Sequence, residues 1–325
     1  MKTLAKIAAT VLIVASVFLP PPASAQEYPA KPIRLIVPFV AGGNLDVVTR
    51  PYAQKLTQSL KQQFIVDNRP GASGIIGTQA VAKSPPDGYT YLMVSTIALT
   101  TPILMANVTS YDPVRDFSPI SNIATIPQIL VVHRSLPVKT VGELIALAKA
   151  RPGQLNYATG GNGSSSHLAT ELFARQANIR LERIAYKSGE PAFIGLMAGN
   201  ASLMFNNIST SLTHIAAGRL KALAVTSANR SPLLPDVPTV GETLPGYVAV
   251  QFNGIFAPAR TPREIISRMH AETVKFVEMP DMKVLYFQQG MDLVSSSSPE
   301  QFDEFIKAEY RRWAKVIQDA GIRAD

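Results

Sequence analysis

The chain has 325 residues, 31 Lys plus Arg against 23 Asp plus Glu, and no cysteine. The lack of cysteine excludes disulfides, thiolate nucleophiles, cysteine-based metal sites and a lipoprotein anchor, which is built on a cysteine. Basic residues are scattered from Lys31 to Arg323 rather than clustered among aromatics, a distribution that does not favour nucleic-acid binding. The length exceeds what one core usually holds, so we expect two domains.

The first 25 residues have the pattern of a signal peptide. Lys2 and Lys6 precede an apolar run from Ile7 to Leu19, which is followed by the small-residue sequence at 23–25. The run is shorter than the roughly 20 apolar residues of a membrane-spanning helix. We therefore expect export to the periplasm with cleavage after Ala25, which leaves a soluble chain of net charge 29 − 23 = +6. A retained membrane anchor is the alternative.

The first third of the chain alternates between predicted strands and helices. A buried strand lies within residues 32–39, and helical spacing of apolar residues follows from Asp46 to Leu60. A short strand at 64–66, a helix at 75–83 and a strand at 89–95 come next. Such alternation predicts a parallel sheet.

After Phe117 the alternation starts again, which indicates a second α/β lobe. The expected strands are at 129–132, 156–158, 183–186, 203–206 and 222–226, with helices at 141–149, from about His167, and at 191–198. The proline-rich stretch 233–246 is typical of a loop. A strand at 248–257 is expected to return to the first lobe, followed by helices at 262–276, 280–289 and 299–320.

The predicted domains are therefore residues 26–125 together with 250–325, and residues 126–249. Because the chain crosses between these lobes more than once, we expect a hinge. A cleft between hinged lobes is a candidate ligand site.

Three glycine-rich loops each follow a predicted strand and open a predicted helix. They are Ala41–Asp46, Gly71–Gly74 and Thr159–Ser166. Backbone N–H groups at a helix start, with the positive end of the helix dipole, favour an anion, and a carboxylate fits that chemistry. Plain turn geometry is the alternative for each loop. No loop has the Gly-Lys-Ser/Thr ending of a phosphate loop or the full dinucleotide fingerprint, so no nucleotide cofactor is expected.

Polar side chains beside these loops have two interpretations each. Asp46 and Asn44 could contact a ligand or cap the helix that follows. Asn206 and Asn207, at the end of a predicted strand, could donate to a carboxylate or form a turn.

His167 and the serines before it are candidates for a catalytic or a metal site. His167 and Glu171 have metal-like spacing, but no third ligand is apparent, so no metal is assigned. Ser164 to Ser166 beside His167 could be read as a nucleophile and its base, yet the nucleophile-elbow pattern is missing. We expect a binding protein without cofactor rather than an enzyme, with a periplasmic serine hydrolase as an alternative.

Several segments carry a family resemblance when taken in order: YPAKPIRLIVPF, AGGNLDVVTR, VDNRPGASGIIGTQAVAKSPPDGYT, YDPVRDFSPI, KTVGELIALAKARPGQLNYATGGNGSSSHLATELF, YKSGEPAF, LAVTSANRSPLLPDVPTVGE and FAPARTP. They closely resemble the Bug family, the periplasmic solute-binding proteins of tripartite tricarboxylate transporters. The resemblance implies an α/β type II periplasmic-binding-protein fold with a hinged cleft. It further implies capture of a small carboxylate and delivery to the membrane subunits of such a transporter, by a protein expected to be a monomer.

The resemblance also implies where the site lies: the loop Phe39–Asp46, the loop Thr159–Ser165 and the strand end Phe205–Asn207. The candidate ligand-binding residues are Phe39, Ala41, Gly42, Gly43, Asn44, Asp46, Ser73, Gly74, Ser95, Thr96, Thr159, Gly161, Gly163, Ser164, Ser165, Phe205, Asn206 and Asn207.

Departures from the family pattern leave the ligand open. Ala41-Gly42-Gly43 replaces the usual Pro-Gly-Gly, Ser73-Gly74 replaces a frequent Gly-Gly, and Pro51 follows Arg50. Dicarboxylates, tricarboxylates, acidic amino acids and aromatic acids all remain candidates. The other functional alternative is that the protein presents its liganded form to a membrane sensor rather than to a transporter.

Overall fold

The computed structural model describes residues 28–322, so the predicted signal peptide at 1–25 lies outside the described residues. The strands are β1 (Ile33–Val37), β2 (Phe64–Asn68), β3 (Thr90–Ser95), β4 (Phe117–Ile126), β5 (Gln128–His133), β6 (Asn156–Thr159), β7 (Glu182–Ala185), β8 (Leu203–Asn207), β9 (Leu220–Val225), β10 (Gln251–Pro258) and β11 (Asp292–Leu293).

The helices alternate with these strands over much of the chain. They are α1 (Asn44–Leu60), α2 (Ile75–Ala82), α3 (Thr96–Leu104), α4 (Val141–Ala150), α5 (Ser165–Ala177), α6 (Gly189–Met197), α7 (Ile208–Ala216), α8 (Arg263–Glu278), α9 (Pro280–Gln288) and α10 (Pro299–Asp319). Short 3₁₀ turns lie at Ala72–Gly74 and Val240–Glu242.

The strands form two sheets, one in each lobe. The first has six strands in the order β11-β4-β10-β3-β1-β2, and the second has five in the order β7-β6-β8-β5-β9. The two α/β sheets agree with the predicted fold class.

Both sheets are mixed, whereas the alternation of strands and helices predicted parallel sheets. Strand β10 is antiparallel to both β3 and β4, and β5 is antiparallel to both β8 and β9. These two strands enter their sheets from the opposite lobe. Strands β5 and β10 therefore begin at the boundary between the lobes and run away from it. Strands β4 and β9 end at this boundary and run towards it. The prediction is confirmed for β1, β2 and β3 and for β6, β7 and β8, which are parallel. It fails for β5 and β10 because each is reached by a direct crossing rather than through a helix.

This arrangement brings the carboxyl ends of the other strands to the boundary between the sheets. Ser95, the last residue of β3, pairs with Asn253 near the start of β10, and Asn207, the last residue of β8, pairs with Gln128, the first of β5. Ligands of open α/β sheets bind outside the carboxyl ends of the strands. The helices that follow β1, β3, β6 and β8 therefore begin at the cleft.

Hydrogen bonds between buried groups hold the crossing segments together. Thr226 Oγ1 accepts from the Gln128 N–H at 2.8 Å, and the Thr226 N–H donates to the Gln128 carbonyl at 2.9 Å. The Ala249 N–H donates to the Thr226 carbonyl at 3.0 Å on the way back to the first sheet. All three residues are buried.

The C-terminal helix α10 packs against both lobes. Phe302 and Ile306 join the core of the first sheet, while Trp313, Val316 and Ile317 join the core of the second. The last turns of α10 lie against the second lobe, although residues 250–325 were all expected in the first.

Four strands and helices were absent from the sequence expectations: β4, α3, α7 and the two-residue strand β11. Strand β4 contains Pro119, Ser121 and Asn122, which weaken an apolar strand pattern although Ser121 and Asn122 are buried. Helix α3 contains Pro102, a residue that usually ends or kinks a helix. Helix α7 follows β8 without any glycine-rich turn.

Gly254 in the central strand β10 gives a test of this packing. A Cβ at Gly254 would lie 2.7 Å from Phe302 Cζ and 2.8 Å from the carbonyl oxygen of Ser121. Gly254→Ala should therefore lower the free energy of unfolding by about 1–3 kcal/mol, measured by urea denaturation.

Gly189→Ala at the start of α6 is the matched control, because a Cβ there meets nothing within 4 Å. Equal stability of the two variants would contradict the packing of α10 on β10.

Candidate functional site

Four helices begin where strands end at the cleft. Helices α1, α3, α5 and α7 follow β1, β3, β6 and β8. The residues that precede α1, α3 and α7 form no side-chain cap hydrogen bond, whereas Ser164 accepts a hydrogen bond from the His167 N–H at the start of α5. The N–H groups of a first helical turn have no intrahelical partner and carry the positive end of the dipole. The cleft is therefore suited to an anion.

A cavity of about 350 Å³ lies between the two lobes. The first lobe contributes Phe39, Ser73, Ile97, Thr100, Thr101, Leu104 and Met105, and the second contributes Asn162, Gly163 and Ser164. Of the predicted site residues, Phe39, Ser73, Gly163 and Ser164 thus lie together at this cavity.

One face of α3 forms a wall of the cavity. Ile97, Thr101 and Leu104 recur at the three- and four-residue spacing of a helix face, with Met105 at its C-terminal end. Sequence reasoning missed this helix. The apolar residues and threonines after Ser95 recur at helical spacing, which could have indicated this helix. Pro102 argued against it.

Gly163 brings the two lobes into contact at the edge of the cavity. Its φ is +67°, and a Cβ there would overlap Leu104 Cδ1 on the opposite lobe. A glycine therefore fits this approach best, because any side chain here would be strained by the positive φ and would displace the end of the Leu104 side chain. The loop of the second lobe and helix α3 of the first are packed against each other here.

The start of α5 supplies hydrogen-bond donors on the second lobe. Ser165 and Ser166 occupy its first turn, and Ser164 Oγ lies 3.1 Å from Ser166 Oγ. The Gly163 N–H is already used, because it donates to His167 Nδ1 at 3.2 Å. Donors for a carboxylate at this end are thus the N–H groups of Ser165 and Ser166 and the Ser164 hydroxyl.

The loop after β1 is held by Asp46 rather than left open for a ligand. The Asp46 carboxylate accepts from the Gly42 N–H at 2.8 Å, from Arg50 Nε at 2.7 Å and Nη2 at 2.9 Å, and from Asn68 Nδ2 at 2.9 Å. Burial raises the pKa of Asp46, but these hydrogen bonds lower it by a larger amount, so its pKa lies below the usual value. Asp46 was expected to contact a ligand or to cap the helix; its carboxylate instead holds the loop to α1 and to Asn68.

The other residues of this loop also use their polar groups within the protein. The Gly43 N–H points to the Val40 carbonyl at 3.3 Å, and Asn44 Oδ1 accepts from Asn253 Nδ2 at 3.3 Å. Ala41 and Gly42 are exposed. The N–H groups expected to hold a carboxylate at Gly42 and Gly43 are therefore engaged, and those of the first turn of α1 remain.

The Gly71–Gly74 loop places Ser73 against the cavity in an uncommon backbone conformation. Ala72 and Ser73 have φ of 46° and 53°, a region that costs non-glycine residues energy. The Ser73 carbonyl accepts from Thr101 Oγ1 at 3.4 Å. A Cβ at Gly74 would lie 3.2 Å from Phe39 Cζ, so Gly74 gives space to the Phe39 ring.

The strand end Phe205–Asn207 lies differently from the expectation. Phe205 is fully buried and packs on Phe173 and Tyr247 in the core of the second lobe. Asn206 Nδ2 donates to Thr210 Oγ1 and Ser211 Oγ, both at 3.0 Å. The alternating directions of side chains along a strand turn Phe205 into the core. We do not include Phe205 or Asn206 in the proposed site.

The remaining predicted residues lie at strand ends and near the crossing. Ser95 Oγ and Thr159 Oγ1 are buried and have no hydrogen-bond partner among the described residues. Thr96 and Ser165 border a small void of about 20 Å³ together with Gln128. Gln128 Nε2 donates to Ser165 Oγ at 3.4 Å, a contact between the crossing and α5 that the sequence did not reveal. Gly161 is half-buried, and its carbonyl accepts from the Ser164 N–H at 3.3 Å.

A larger cavity of about 510 Å³ lies on the second lobe, behind the loop that carries Asn162. It is bordered by charged residues, including Glu171 and Arg183, and by residues 320–322. It therefore does not lie between the two sheets. Arg183 Nη1 donates to Asn162 Oδ1. Asn162 also borders the cavity between the lobes.

His167 packs within the second lobe. It is buried, its Nδ1 accepts from Gly163, and its Nε2 lies 3.8 Å from Glu171 Oε1. In residues 28–322, no three His, Asp or Glu side chains are grouped so that they could hold a metal ion. The spacing of His167 and Glu171 is therefore explained by packing within α5 and not by metal binding.

Asp46 gives a test of the loop scaffold. Asp46→Asn should lower the free energy of unfolding at pH 7 by about 1–3 kcal/mol, because buried donors lose a charged acceptor. Since the folded pKa lies below the usual 3.8, the stabilisation is complete above that pH and is lost as the pH falls through the folded pKa. Urea denaturation should therefore show a smaller deficit at pH 3 than at pH 7.

Asp236→Asn, at an exposed position, is the control and should change little. A deficit for Asp46→Asn that is the same at both pH values would show that the carboxylate charge does not stabilise the loop.

Comparison with known proteins agrees with this geometry. Residues 48–322 match the Tripartite tricarboxylate transporter family receptor, TctC. The chain is 36% identical over 314 residues to Protein BugT of Bordetella pertussis, and the alignment covers 96% of each protein.

Two solved structures have the same architecture. R. palustris Rpa4515 with adipate has a TM-score of 0.75 and 35% identity, over 92% of this chain and 100% of that one. MatC from Rhodopseudomonas palustris with bound malate has a TM-score of 0.71 and 26% identity, over 89% of this chain and 100% of that one. Two α/β sheets in this arrangement are the type II periplasmic-binding-protein fold. The chain therefore belongs to the TctC/Bug family of periplasmic solute-binding receptors of tripartite tricarboxylate transporters, a family of binding proteins rather than enzymes.

Proposed function

We propose that this chain captures a small organic carboxylate in the cavity between its lobes and delivers it to the membrane subunits of a tripartite tricarboxylate transporter. The observation that carries the proposal is a cavity of about 350 Å³ bordered by α3 on one side and by Asn162, Gly163 and Ser164 on the other. Relatives with adipate and with malate support a carboxylate as the ligand.

The site holds its ligand with uncharged donors. Ser164, which precedes the first turn of α5, lines the cavity from the second lobe together with Asn162, and Ser73 lines it from the first. Such donors hold a carboxylate without the desolvation cost of a buried Lys or Arg. A ligand that touches both sides stabilises the closed form, since it gains contacts there that an open form lacks.

We further propose that the moving bodies are residues 26–125 with 250–325 and residues 126–249. The crossing at Gln128, Thr226 and Ala249 is the hinge in this proposal. Helix α10, which contacts both cores, limits the range of the motion.

Export by cleavage after Ala25 is the remaining part of the proposal, supported by the lysine, apolar and small-residue pattern of residues 1–25. Within residues 28–322, no helix combines the length and apolar character that crossing a bilayer requires.

A thermal-shift screen of the mature chain with organic acids tests the capture of a carboxylate. A ligand at about 100 times its dissociation constant should add about 2.7 kcal/mol of stability, which shifts the midpoint by a few degrees. The screen should include mono-, di- and tricarboxylates, acidic amino acids and aromatic acids, with matched neutral amides as controls. Equal responses to acids and amides, or none to any acid, would contradict the proposal.

Gly163 tests closure through a double-mutant cycle. Gly163→Ala should weaken ligand binding about tenfold or more in isothermal titration, because the added methyl overlaps Leu104 when the lobes meet. Gly163→Ala combined with Leu104→Ala should recover part of this loss, which a cycle with both single variants measures.

Gly218→Ala is the matched control for backbone strain, since Gly218 has the same φ of +67° and a Cβ there meets nothing within 4 Å. If Gly163→Ala binds ligand as well as Gly218→Ala does, the lobes do not meet at Gly163 in the bound state.

A further inference from the structure

We propose that the ligand is an acid with a hydrocarbon body and a single deeply buried carboxylate, rather than a tricarboxylate or an acidic amino acid. This inference rests on the proposed function and narrows its ligand class. It follows from the distribution of apolar groups, donors and helix ends around the cavity between the lobes.

The cavity wall is uncharged. None of its lining residues among those described is Lys, Arg, His, Asp or Glu. Phe39, Ile97, Leu104 and Met105 supply apolar surface, and the polar members are hydroxyl and amide side chains. Apolar surface of this kind favours methylene or aromatic groups of a ligand and gives no compensation for several buried charges.

The anion-binding end lies where two helix starts from opposite lobes converge. Thr96, the first residue of α3, and Ser165, the first residue of α5, border a separate void of about 20 Å³, so the two helix starts lie close together. Ser164, the residue that precedes α5, lines the cavity between the lobes. Both helices direct their unpaired first-turn N–H groups and positive dipole ends to this region. One carboxylate is best placed here, next to the Ser164 hydroxyl.

The opposite end of the α3 wall has the reverse polarity. Leu104 and Met105 lie at the C-terminal end of α3, where the dipole is negative and carbonyl groups are exposed. Thr101 Oγ1 donates to the Ser73 carbonyl at 3.4 Å, and Thr100 Oγ1 donates to the Ile97 carbonyl at 3.3 Å. These hydroxyls use their only protons on carbonyls. A second buried carboxylate at this end is disfavoured, so in a diacid it would lie at the open mouth.

An amino group also lacks a partner in this cavity. The ammonium of an acidic amino acid needs a carboxylate or several acceptors when it is buried. Asp46, the acid of the first-lobe loop, is already occupied by Gly42, Arg50 and Asn68. The lining residues offer no acid in its place.

Isothermal titration of the full mature chain with hexanoate, benzoate and adipate against citrate and glutamate tests this inference. We expect at least one of the first three to bind tenfold or more tightly than both citrate and glutamate. Tighter or equal binding of citrate or glutamate would overturn the inference and leave the proposed function standing. Failure of every acid to bind would overturn the proposed function and the inference with it.

Met105→Arg tests the apolar end directly. A cation at a helix C-terminus is compatible with folding, and here it would face the cavity. The ratio of citrate affinity to hexanoate affinity should rise by about tenfold or more. Val108→Arg adds the same charge at an exposed position outside the cavity lining and should leave the ratio unchanged. Equal ratios for both variants, with both folded by circular dichroism, would show that Met105 does not set the selectivity.

Discussion

The hydrogen-bonded crossing at Gln128, Thr226 and Ala249 is the constraint on which the rest of the structure depends. Because β5 and β10 start at this crossing, they run antiparallel to the strands beside them, and those strands end facing it. The helices that follow the strand ends then direct their N-terminal turns into one cleft. An anion site is thus a consequence of the topology, before any particular side chain is considered.

The two sides of the cleft make different contributions. The second lobe contributes Ser164, at the start of α5, and Asn162, whose side-chain oxygen accepts from Arg183. The first lobe offers mainly the apolar face of α3, while its glycine loop is stabilised internally by Asp46. In the proposed function, affinity for a carboxylate and selectivity for the ligand body are therefore carried by different lobes. Closure is needed to combine them.

The sequence predicted the strand and helix alternation, the return of the chain near residue 250 and the loop that contains Gly163 and Ser164, because periodicity and glycine-rich turns are local signals. It did not predict α3 or the mixed sheets. Pro102 within α3 argued against a helix there. The direction of β5 and β10 depends on where the chain crosses between the lobes, which local sequence patterns do not indicate. The sequence also did not reveal that the Gly42 N–H group donates to Asp46, a contact that only the fold brings about. The match over residues 48–322 confirms the family resemblance and leaves the site contacts to be tested.

The central claim is that ligand binding holds the two lobes in the closed arrangement. The absence of cysteine allows spin labels to be attached only at Val108→Cys on the first lobe and Ile194→Cys on the second, both exposed positions. Pulsed electron spin resonance then measures the distance between the labels. We expect a broad distribution without ligand and a single narrow one when a carboxylate that binds in titration is added at saturation. An identical distribution in both states would contradict the claim.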